Sequence, residues 1–349
     1  MKQVLITGGA GFIGTNLAHR LLSLGLRVRI LDNLSRRGVE QNLHWLSQHK
    51  SALFDVKVGD IRNISEVEAA VRGVDQVFHF AAQVAVTSSI VDPITDFEIN
   101  ARGTVNVLEA VRAQSRRPGI IFTSTNKVYG ALQDIQLERD GSRYVPLDPL
   151  KRNGIDETRP LEFHSPYGCS KGAADQYVLD FARIYDIPAV VFRMSCIYGP
   201  HQFGNEDQGW LAHFTIRAMD HSILTIYGDG AQVRDVLFVD DLVNAFLLAQ
   251  SRIREISGCA FNIGGGPEHT VSLLELARTL ESLGMPILQI RTEPWRTGDQ
   301  RYYVSDFHRF QRATGWKPKV SVQEGIVRLC EWLDEFRADS PLAGVMQEA

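Results

Sequence analysis

The chain has 349 residues, and its 44% hydrophobic and 22% charged residues form the ordinary mix of globular proteins. With 37 Lys and Arg against 41 Asp and Glu, the formal net charge of −4 excludes the broad positive surface of a nucleic-acid-binding protein. The ten histidines form no metal-binding motif and the four cysteines show no CxxC spacing, so we expect no metal ion and reduced thiols.

The first residues, MKQVLITG, lead directly into a predicted strand, so we expect no signal peptide. No apolar run approaches the roughly 18 residues of a membrane span, and we therefore expect no membrane partner. Together these features predict a cytoplasmic protein.

Short apolar strands alternate with helical patterns through the first half of the chain. Buried strands that are separated by helices form βαβ units, and such units predict an α/β fold with a parallel sheet. The predicted strands are 4–7, 28–31, 56–58, 76–80, 120–123 and 189–192, and the predicted helices are 12–24, 64–71, 97–112 and a long helix after Tyr167.

The second half of the chain has a less regular pattern. Segments 131–163 and 200–235 are polar and punctuated by glycine and proline, which predicts long functional loops. Segments 272–283 and 322–336 have the spacing of amphipathic helices and indicate a smaller C-terminal α/β lobe. We predict a sheet domain at 1–195, a second lobe mainly at 196–337 and a loose tail at 338–349.

A glycine-rich turn, TGGAGFIG from Thr7 to Gly14, lies between the first strand and the first helix. Glycine is needed where φ is positive and where the backbone approaches a pyrophosphate at a helix N-terminus. Asp32 ends the second strand, 18 residues after Gly14, where a carboxylate can bind both ribose hydroxyls of a dinucleotide. Arg36 and Arg37 would suit the 2′-phosphate of NADP, but the strand-end position of Asp32 favours NAD. The sequence thus predicts a doubly wound Rossmann fold that binds NAD.

Further cofactor contacts are predicted at the ends of the next strands. Asp60 and Ile61 would frame the adenine, and the small residues of HFAAQ would let the ribose and nicotinamide pass. The predicted cofactor-binding residues are Gly8, Gly11, Phe12, Ile13, Gly14, Asp32, Asn33, Ser35, Arg36, Asp60, Ile61, Phe80, Ala81, Ala82 and Gln83, together with Asn100, Tyr167 and Lys171.

A YxxxK motif, YGCSK, places Tyr167 and Lys171 on one face of a helix. The pKa of a phenol is about 10, and a neighbouring ammonium and an oxidised nicotinamide both favour the phenolate. Tyr167 is therefore a candidate general base. STNKVYG supplies the hydroxyl of Thr125 at the end of a sheet strand. Thr125, Tyr167 and Lys171, in this order after the glycine turn, predict a catalytic site for hydride transfer.

These motifs, with HFAAQ, FRxxxxYGP, QVRDVLFVDD and FNIGG, resemble those of the extended short-chain dehydrogenases that epimerise or dehydrate nucleotide sugars. The resemblance covers residues 1–335. It implies that Thr125 and Tyr167 act on a sugar hydroxyl and that Lys171 also binds the nicotinamide ribose. It further implies that Asn100 holds the catalytic group or the cofactor in place.

The resemblance also implies a substrate site. Arg234 and Arg301 match two arginines that grip the diphosphate, a role that suits a bidentate guanidinium, although either one could instead form an ordinary salt bridge. Cys196 stands where many members carry a ligand-contacting asparagine, and we predict that it is pocket wall rather than a nucleophile. The predicted substrate-binding residues are Thr125, Asn126, Lys127, His164, Met194, Cys196, Arg234 and Arg301.

Several activities fit this site. A 4,6-dehydratase of the family has Thr-Asp-Glu at the strand end, whereas this chain has Thr125-Asn126-Lys127 and lacks both carboxylates. A UDP-sugar 4-epimerase is chemically possible, because the same oxidation and reduction serve any ring carbon. A non-catalytic NAD(H)-sensing protein would have no need for a base, a hydroxyl and a lysine together.

Four longer blocks, DNLSRRG, NLHWL, STNKVYG and FHSPYGCSKGAADQY, resemble the CDP-hexose 2-epimerases of the family. Segment 131–163, with Tyr144 inside it and His164 just beyond it, fits the extra sugar-side loop of that branch. The resemblance implies inversion at C2 of CDP-paratose and CDP-tyvelose, or of related sugars such as CDP-glucose and CDP-mannose. It also implies tightly bound NAD and a homodimer or homotetramer.

Overall fold

The computed structural model describes residues 2–49, 51–286 and 289–339. Strands and helices alternate in the first part of the chain: β1 (Gln3–Thr7), α1 (Phe12–Ser23), β2 (Arg27–Asp32), α2 (Val39–His49), β3 (Phe54–Val58), α3 (Ile64–Val71), β4 (Gln76–His79), α4 (Val86–Val91), α5 (Pro93–Phe97), α6 (Gly103–Arg112), β5 (Gly119–Thr125), β6 (Leu137–Asp140), β7 (Arg143–Pro146), α7 (Pro166–Tyr185) and β8 (Ala189–Met194). The remaining elements are β9 (Cys196–Tyr198), α8 (Trp210–Met219), β10 (Leu224–Tyr227), β11 (Val233–Phe238), α9 (Val239–Ser251), β12 (Cys259–Ile263), β13 (Thr270–Ser272), α10 (Leu273–Ser282), β14 (Ile290–Glu293), β15 (Tyr302–Tyr303), α11 (His308–Thr314) and α12 (Val322–Asp339).

Seven parallel strands form the main sheet, in the order β12-β8-β5-β4-β1-β2-β3. The chain moves from β1 to one side through β2 and β3, and then to the other side through β4, β5, β8 and β12. This reversal opens a crevice beyond the carboxyl ends of β1 and β4, the place where open α/β sheets bind their ligands. The predicted Rossmann fold is confirmed, and all six predicted strands belong to this sheet.

Apolar side chains cover both faces of the sheet, because successive residues of a strand point to opposite faces. Val4 and Ile6 of β1 pack in one buried cluster with residues of α1 and α9. Leu5 packs in a second cluster with residues of α3, α6 and α7. Packed helices on both faces fix the positions of the strand ends and of the loops that follow them.

The last strand of the main sheet comes from beyond residue 195, which we predicted as the end of the sheet domain. β12 pairs with β8, with Phe261 opposite Phe192, so the FNIGG motif ends a strand of this sheet. Helix α9 also packs against α1. The strand was missed because β11, the strand before α9, pairs in another sheet, so the chain order does not show that β12 returns to the main sheet. The limits of the two lobes stay a prediction.

Two segments that we predicted as long loops contain regular structure. Segment 200–235 includes helix α8, whose buried side chains include Leu211 and Phe214, and strand β10. Segment 131–163 includes the antiparallel hairpin of β6 and β7. In both segments the elements are short and flanked by polar residues, which hides the periodicity.

The two predicted C-terminal helices correspond to α10 and α12. Ser272 and Glu275 form a capping box at the start of α10, with the Ser272 hydroxyl accepting from the Glu275 amide at 3.1 Å. α12 runs from Val322 to Asp339, so the first two residues of the predicted tail, 338 and 339, are helical. The rest of that tail, residues 340–349, lies outside the described residues.

The smaller lobe is built around β11, which pairs with β9, β13 and β15. Arg234 lies on β11, and its guanidinium donates to the carbonyl of Gln300 at 2.5 Å. The side chain of Gln300 in turn accepts from the side-chain amide of Asn126, just after β5, at 3.2 Å. This chain of contacts joins the smaller lobe to the end of the strand that carries Thr125.

Candidate active site

The glycine turn after β1 is shaped for a close backbone approach. Gly8 has φ +67°, and a Cβ atom there would lie 2.7 Å from the amide nitrogen of Ala81. A Cβ atom on Gly14 would lie 2.5 Å from the Cα atom of Gly9. Because neither position has room for a side chain, the backbone itself forms the floor of a cavity at the start of α1. This glycine-turn cavity is lined by the predicted residues Gly8, Gly11, Phe12, Ile13 and Gly14.

A second cavity lies around the end of β2, and we call it the Asp32 cavity. The Asp32 carboxylate accepts from the amide of Ala10 at 3.0 Å and from the amide of Leu34 at 2.9 Å. Burial raises the pKa of Asp32, and these two hydrogen bonds oppose that rise. The predicted residues that line this cavity are Asp32, Asn33, Ser35, Arg36, Asp60, Ile61, Phe80, Ala81 and Ala82.

The two cavities fit a dinucleotide. A backbone-lined turn at a helix N-terminus suits a pyrophosphate, and a carboxylate held at the neighbouring strand end suits ribose hydroxyls. Hydrogen bonds from Arg62 and Asn33 hold the Asp60 carboxylate in place, and they also lower its pKa to about 2. The backbone amide of Gln83 donates to Asn100 at 2.9 Å, and the predicted contact of Gln83 with the cofactor stays a prediction.

The three predicted catalytic residues come together in the glycine-turn cavity. Thr125 ends β5, whereas Tyr167 and Lys171 lie on α7, and all three line the cavity. Helix α7 begins at Pro166 because the Ser165 hydroxyl accepts from the Gly168 amide at 3.0 Å. The cap fixes the first turn of the helix, which carries Tyr167.

Burial dominates the electrostatics of this pair. It raises the pKa of Tyr167 to about 12, and a hydrogen bond with Thr125 opposes that rise. Burial also lowers the pKa of Lys171 to about 7, against the nearby carboxylates of Asp175 and Asp96. The Lys171 ammonium donates to the Thr123 carbonyl at 2.6 Å. The protein groups around Tyr167 therefore do not lower its pKa by themselves, and the predicted lowering would also need the oxidised nicotinamide.

Sequence reasoning missed a buried polar cluster behind the catalytic helix. Asn100 lies in a π-helical turn, Glu98–Arg102, and donates to Asp96 at 3.0 Å and to the Ser170 hydroxyl at 3.1 Å. Ser170 donates to Asp96 at 2.5 Å. The π turn thus attaches to the helix of Tyr167, which fits the positioning role implied for Asn100. The sequence signal was Ser170 itself, inside the YxxxK motif.

A second missed cluster fixes the loop after β5. The Asp175 carboxylate receives two bonds of 2.9 Å from the Arg193 guanidinium, and both side chains are buried. Arg193 also donates to the Tyr129 hydroxyl at 3.1 Å, and that hydroxyl donates to Asn262 at 2.8 Å. These contacts join α7, β8 and β12 to the end of the STNKVYG motif.

A third cavity adjoins the glycine-turn cavity and extends into the smaller lobe. We call it the Arg234 cavity. Thr125, Tyr167 and Cys196 line both cavities, so two of the predicted catalytic residues, Thr125 and Tyr167, lie at their junction. The Arg234 cavity is lined by five of the predicted substrate-binding residues, Thr125, Asn126, Lys127, Cys196 and Arg234. Met194 lines only the glycine-turn cavity.

Cations and a buried thiol define the Arg234 cavity. The Lys127 ammonium donates to the Gly298 carbonyl at 3.0 Å, and burial together with the positive charge of Arg234 lowers its pKa to about 8. The Cys196 thiol accepts from the Trp210 indole at 3.3 Å, and burial raises its pKa. A protonated, hydrogen-bonded thiol is a poor nucleophile, which agrees with its predicted role as pocket wall.

Arg301 and His164 do not line these cavities. Arg301 is exposed, with its guanidinium 5.3 Å from the ring centre of Trp295 and 5.8 Å from that of Tyr144. His164 is exposed and lies 2.9 Å from a carboxylate oxygen of Glu162. The predicted substrate role of both residues stays a prediction without a cavity to support it.

Arg296 was not among the predicted substrate-binding residues. It lines the Arg234 cavity, and its guanidinium lies 3.7 Å from the ring centre of Tyr227. It donates to the carbonyl of Glu206 at 2.8 Å and lies 3.4 Å from the carboxylate of Asp207. The two arginines lie only five residues apart in the chain, and sequence spacing alone could not choose between them.

The 131–163 segment contacts the smaller lobe away from the cavities. The Tyr144 hydroxyl donates to Asp229 at 2.6 Å, and Arg143 pairs with Glu275 at 2.7 Å. No residue of the segment lines the three cavities. Its predicted role as a sugar-side loop is not supported by these contacts.

Over the part of the chain that the structure covers, no group of three or more His, Cys, Asp or Glu side chains is arranged to hold a metal ion. Within the same residues, every helix is too short or too polar to cross a membrane.

The fold and the site define a Rossmann enzyme with a Thr-Tyr-Lys centre, and the chain belongs to the NAD dependent epimerase/dehydratase family, which matches residues 4–264. A CDP-paratose 2-epimerase of Salmonella typhi is 45% identical over 337 residues, which cover 95% of this chain and 98% of that protein. The solved structure of a Thermotoga maritima UDP-glucose 4-epimerase with UDP-glucose is 30% identical, with a TM-score of 0.81 over 96% of this chain and 99% of that one. The solved structure of a Thermus thermophilus UDP-glucose 4-epimerase with NAD is 32% identical, with a TM-score of 0.78 over 97% and 100% of the two chains.

Proposed function

We propose that this chain is a nucleotide-sugar 2-epimerase that interconverts CDP-paratose and CDP-tyvelose, or related CDP-hexoses such as CDP-glucose and CDP-mannose. The observation that carries the proposal is the 45% identity to a CDP-paratose 2-epimerase across nearly the full length of both chains. Thr125 and Tyr167 at the junction of the cavities support it.

The residues of the glycine-turn and Asp32 cavities fit NAD, with the backbone at the pyrophosphate and Asp32 at the adenosine ribose. When bound there, NAD supplies an acceptor for the hydrogen that leaves C2 and a donor that returns it. Because the cycle ends without net oxidation, we expect the cofactor to stay bound through many turnovers and to copurify with the protein.

In the proposed cycle Tyr167 takes the proton of the C2 hydroxyl and later gives it back. Burial raises the pKa of Tyr167 to about 12 although the Thr125 hydroxyl opposes that rise, so the phenolate needs the additional positive charge that an oxidised nicotinamide would supply beside it. Between the two steps the 2-keto sugar rotates in its pocket. The hydrogen then returns to the opposite face of C2, which inverts that carbon.

We further propose that Arg234 and Arg296 hold the diphosphate, with Lys127 as a third cation. Arg234 is 8% exposed, and its hydrogen bonds go to the backbone carbonyls of Val233 and Gln300. Arg234 and Lys127 lie close enough to repel one another, which favours an anion between them. The carboxylates that pair with the other two cations, Asp299 with Lys127 and Glu206 and Asp207 with Arg296, would give way to the diphosphate.

A UDP-sugar 4-epimerase is the second candidate, because relatives with that name match the chain over almost its whole length. A dehydratase is less well supported, since Asn126 and Lys127 stand in place of an acid and a base. A purely NAD(H)-sensing protein leaves the convergence of Thr125, Tyr167 and Lys171 without a reason.

One experiment tests the proposal. The purified protein is incubated with CDP-, UDP-, GDP- and dTDP-glucose in deuterated water, and the products are identified by NMR. We expect the 2-epimer of CDP-glucose with its original hydrogen at C2. A product inverted at C4, or deuterium at C2, contradicts the proposal.

We also propose that the chain forms a homodimer or homotetramer. Helices α4 and α5 pack against α7, and their outer side chains are unusually apolar: Val91 is 86% exposed, Ile94 72% and Phe97 52%, while Ile184 on α7 is 61% exposed. Exposed apolar side chains on neighbouring helices are typical of an interface between subunits. Light scattering coupled to gel filtration measures the mass directly, and a monomer mass contradicts the proposal.

The cytoplasmic location stays a prediction from the sequence.

A further inference from the structure

Buried side-chain oxygens that have no hydrogen-bond partner are concentrated at the cavities. Such groups are rare in folded proteins, because an unpaired buried hydroxyl or carbonyl loses its hydration without compensation. They therefore mark the places where a ligand supplies the missing partner. Seven are found in the described residues, and five of them line the cavities: Ser124, Gln202 and Gln208 along the glycine-turn cavity, and Thr87, Gln208 and Gln232 along the Arg234 cavity. The other two, on Tyr303 and Ser305, lie elsewhere.

Thr87 lines the Arg234 cavity together with Tyr167, the proposed base. Thr87 is in α4, and two residues later the Ser89 hydroxyl accepts from the backbone amide of Tyr167 at 3.1 Å. This bond fixes α4 relative to Tyr167. Thr87 also shares the cavity wall with Val84 and Val86, which carry no charge.

The surroundings of Thr87 indicate which part of a nucleotide sugar it meets. The cations Lys127, Arg234 and Arg296 belong to other elements, and Gln232, the other unpaired group specific to this cavity, is tied by its amide to the Tyr227 carbonyl at 2.8 Å beside Arg296. The Thr87 hydroxyl is neutral and flanked by valines, and its helix is hydrogen-bonded through Ser89 to the backbone of Tyr167. Such a hydroxyl fits a neutral, hydroxylated ligand group. The hexose ring is that group, because the reacting carbon must lie next to Tyr167.

We propose that the Thr87 hydroxyl binds a ring hydroxyl of the substrate's hexose and thereby positions the reacting carbon against Tyr167. This inference rests on the proposed function and adds a positioning residue to it. A single neutral hydrogen bond suits a sugar that has to turn over during the reaction, since the bond is easily broken and re-formed.

The test compares Thr87→Val, which removes the hydroxyl while keeping the shape, with Thr87→Ser, which keeps the hydroxyl. For CDP-glucose we expect Thr87→Val to lower kcat/KM about tenfold, the loss of one neutral hydrogen bond, and Thr87→Ser to stay within about threefold of wild type. The dissociation constant of CDP, measured by calorimetry, should change less than about twofold in both variants, because CDP lacks the hexose. NAD content and the melting temperature establish that both variants are folded.

Three results overturn the inference. Wild-type kcat/KM in Thr87→Val means that the hydroxyl makes no contact in the reaction. Equal losses in both variants assign the effect to the methyl group and its packing. Weaker CDP binding in Thr87→Val assigns the hydroxyl to the nucleotide. If wild-type protein converts a different nucleotide hexose, the proposed substrate is wrong, and the same two variants are compared on that sugar and on its free nucleoside diphosphate.

Discussion

Replacing Arg296 by alanine tests where the substrate's diphosphate binds. The Arg296 guanidinium stacks on Tyr227 at the wall of the Arg234 cavity, and it is held by Glu206 and Asp207 from the 205–208 turn. Arg301 lies only five residues further along the chain but is exposed outside that wall. The two alanine variants are therefore a matched pair, with the same loss of charge at neighbouring positions.

The expected loss of CDP binding energy depends on the ion pairs that Arg296 must break before it can bind a phosphate. A desolvated charged contact that is truncated costs about 2–5 kcal/mol. The phosphate must first replace Glu206 and Asp207, whose side chains are 46% and 45% exposed, so each of these pairs is worth only about 0.2–1 kcal/mol. The net loss for Arg296→Ala is then about 1–4 kcal/mol, or roughly 5-fold to 10³-fold weaker binding of CDP.

Isothermal titration of the NAD-loaded variants with CDP measures this directly. We expect Arg301→Ala to bind CDP within about threefold of wild type, a change below 1 kcal/mol that is typical of an exposed side chain. NAD content serves as the folding control for both. Unchanged affinity in Arg296→Ala, combined with a large loss in Arg301→Ala, refutes the structural argument and restores the role that the sequence motif implied for Arg301.

The other predictions concern the base and two buried groups. Tyr167→Phe should lower turnover by about 10²–10⁴-fold while keeping NAD content, since it removes only a general acid/base hydroxyl; near-wild-type rates by NMR would exclude Tyr167 as the base. Burial lowers the pKa of His79 from 6.5 to about 3, so the folded protein disfavours its protonated form. The unfolding free energy that the neutral imidazole contributes is therefore fully present above pH 6.5 and is lost as the pH falls towards 3. The difference in unfolding free energy between wild type and His79→Gln should therefore shrink between about pH 7.5 and pH 5 in urea titrations, and a constant difference contradicts this. Asp175→Asn leaves the buried guanidinium of Arg193 without its carboxylate and should lower the unfolding free energy by about 3–5 kcal/mol; a loss below 1 kcal/mol would show that the pair is not desolvated.

The elements that the sequence predicted well are those whose signal is local. The glycine turn needs residues without a Cβ atom at fixed spacing, and the YxxxK pair needs one helical turn, so both can be recognised within a few residues. Asp32 and Thr125 were found because each ends an apolar strand. The carboxyl ends of parallel strands meet at one edge of the sheet, which brings such residues together.

The missed parts depend on contacts between distant segments. Asp96 belongs to the polar cluster behind α7 only because Ser170 donates a hydrogen bond to it, and no residue near Asp96 in the chain indicates that partner. Asp175 looks like an ordinary polar residue of a helix until β8 places Arg193 beside it. The choice between Arg296 and Arg301 required the tertiary structure, because the two arginines lie only five residues apart and only the fold shows which of them lines the Arg234 cavity.

The position of β12 has a consequence for how the protein is made. β8 is finished at Met194, but its outer neighbour in the main sheet, β12, begins only at Cys259, after the first strands and helix of the smaller lobe. During synthesis, the edge of β8 therefore stays unpaired until this later segment has emerged, and an unpaired apolar strand edge attracts other chains. For the same reason, a fragment cut at residue 195 would keep the glycine turn and the catalytic residues yet lack β12 and α9. We would expect it to aggregate rather than fold as a separate NAD-binding unit.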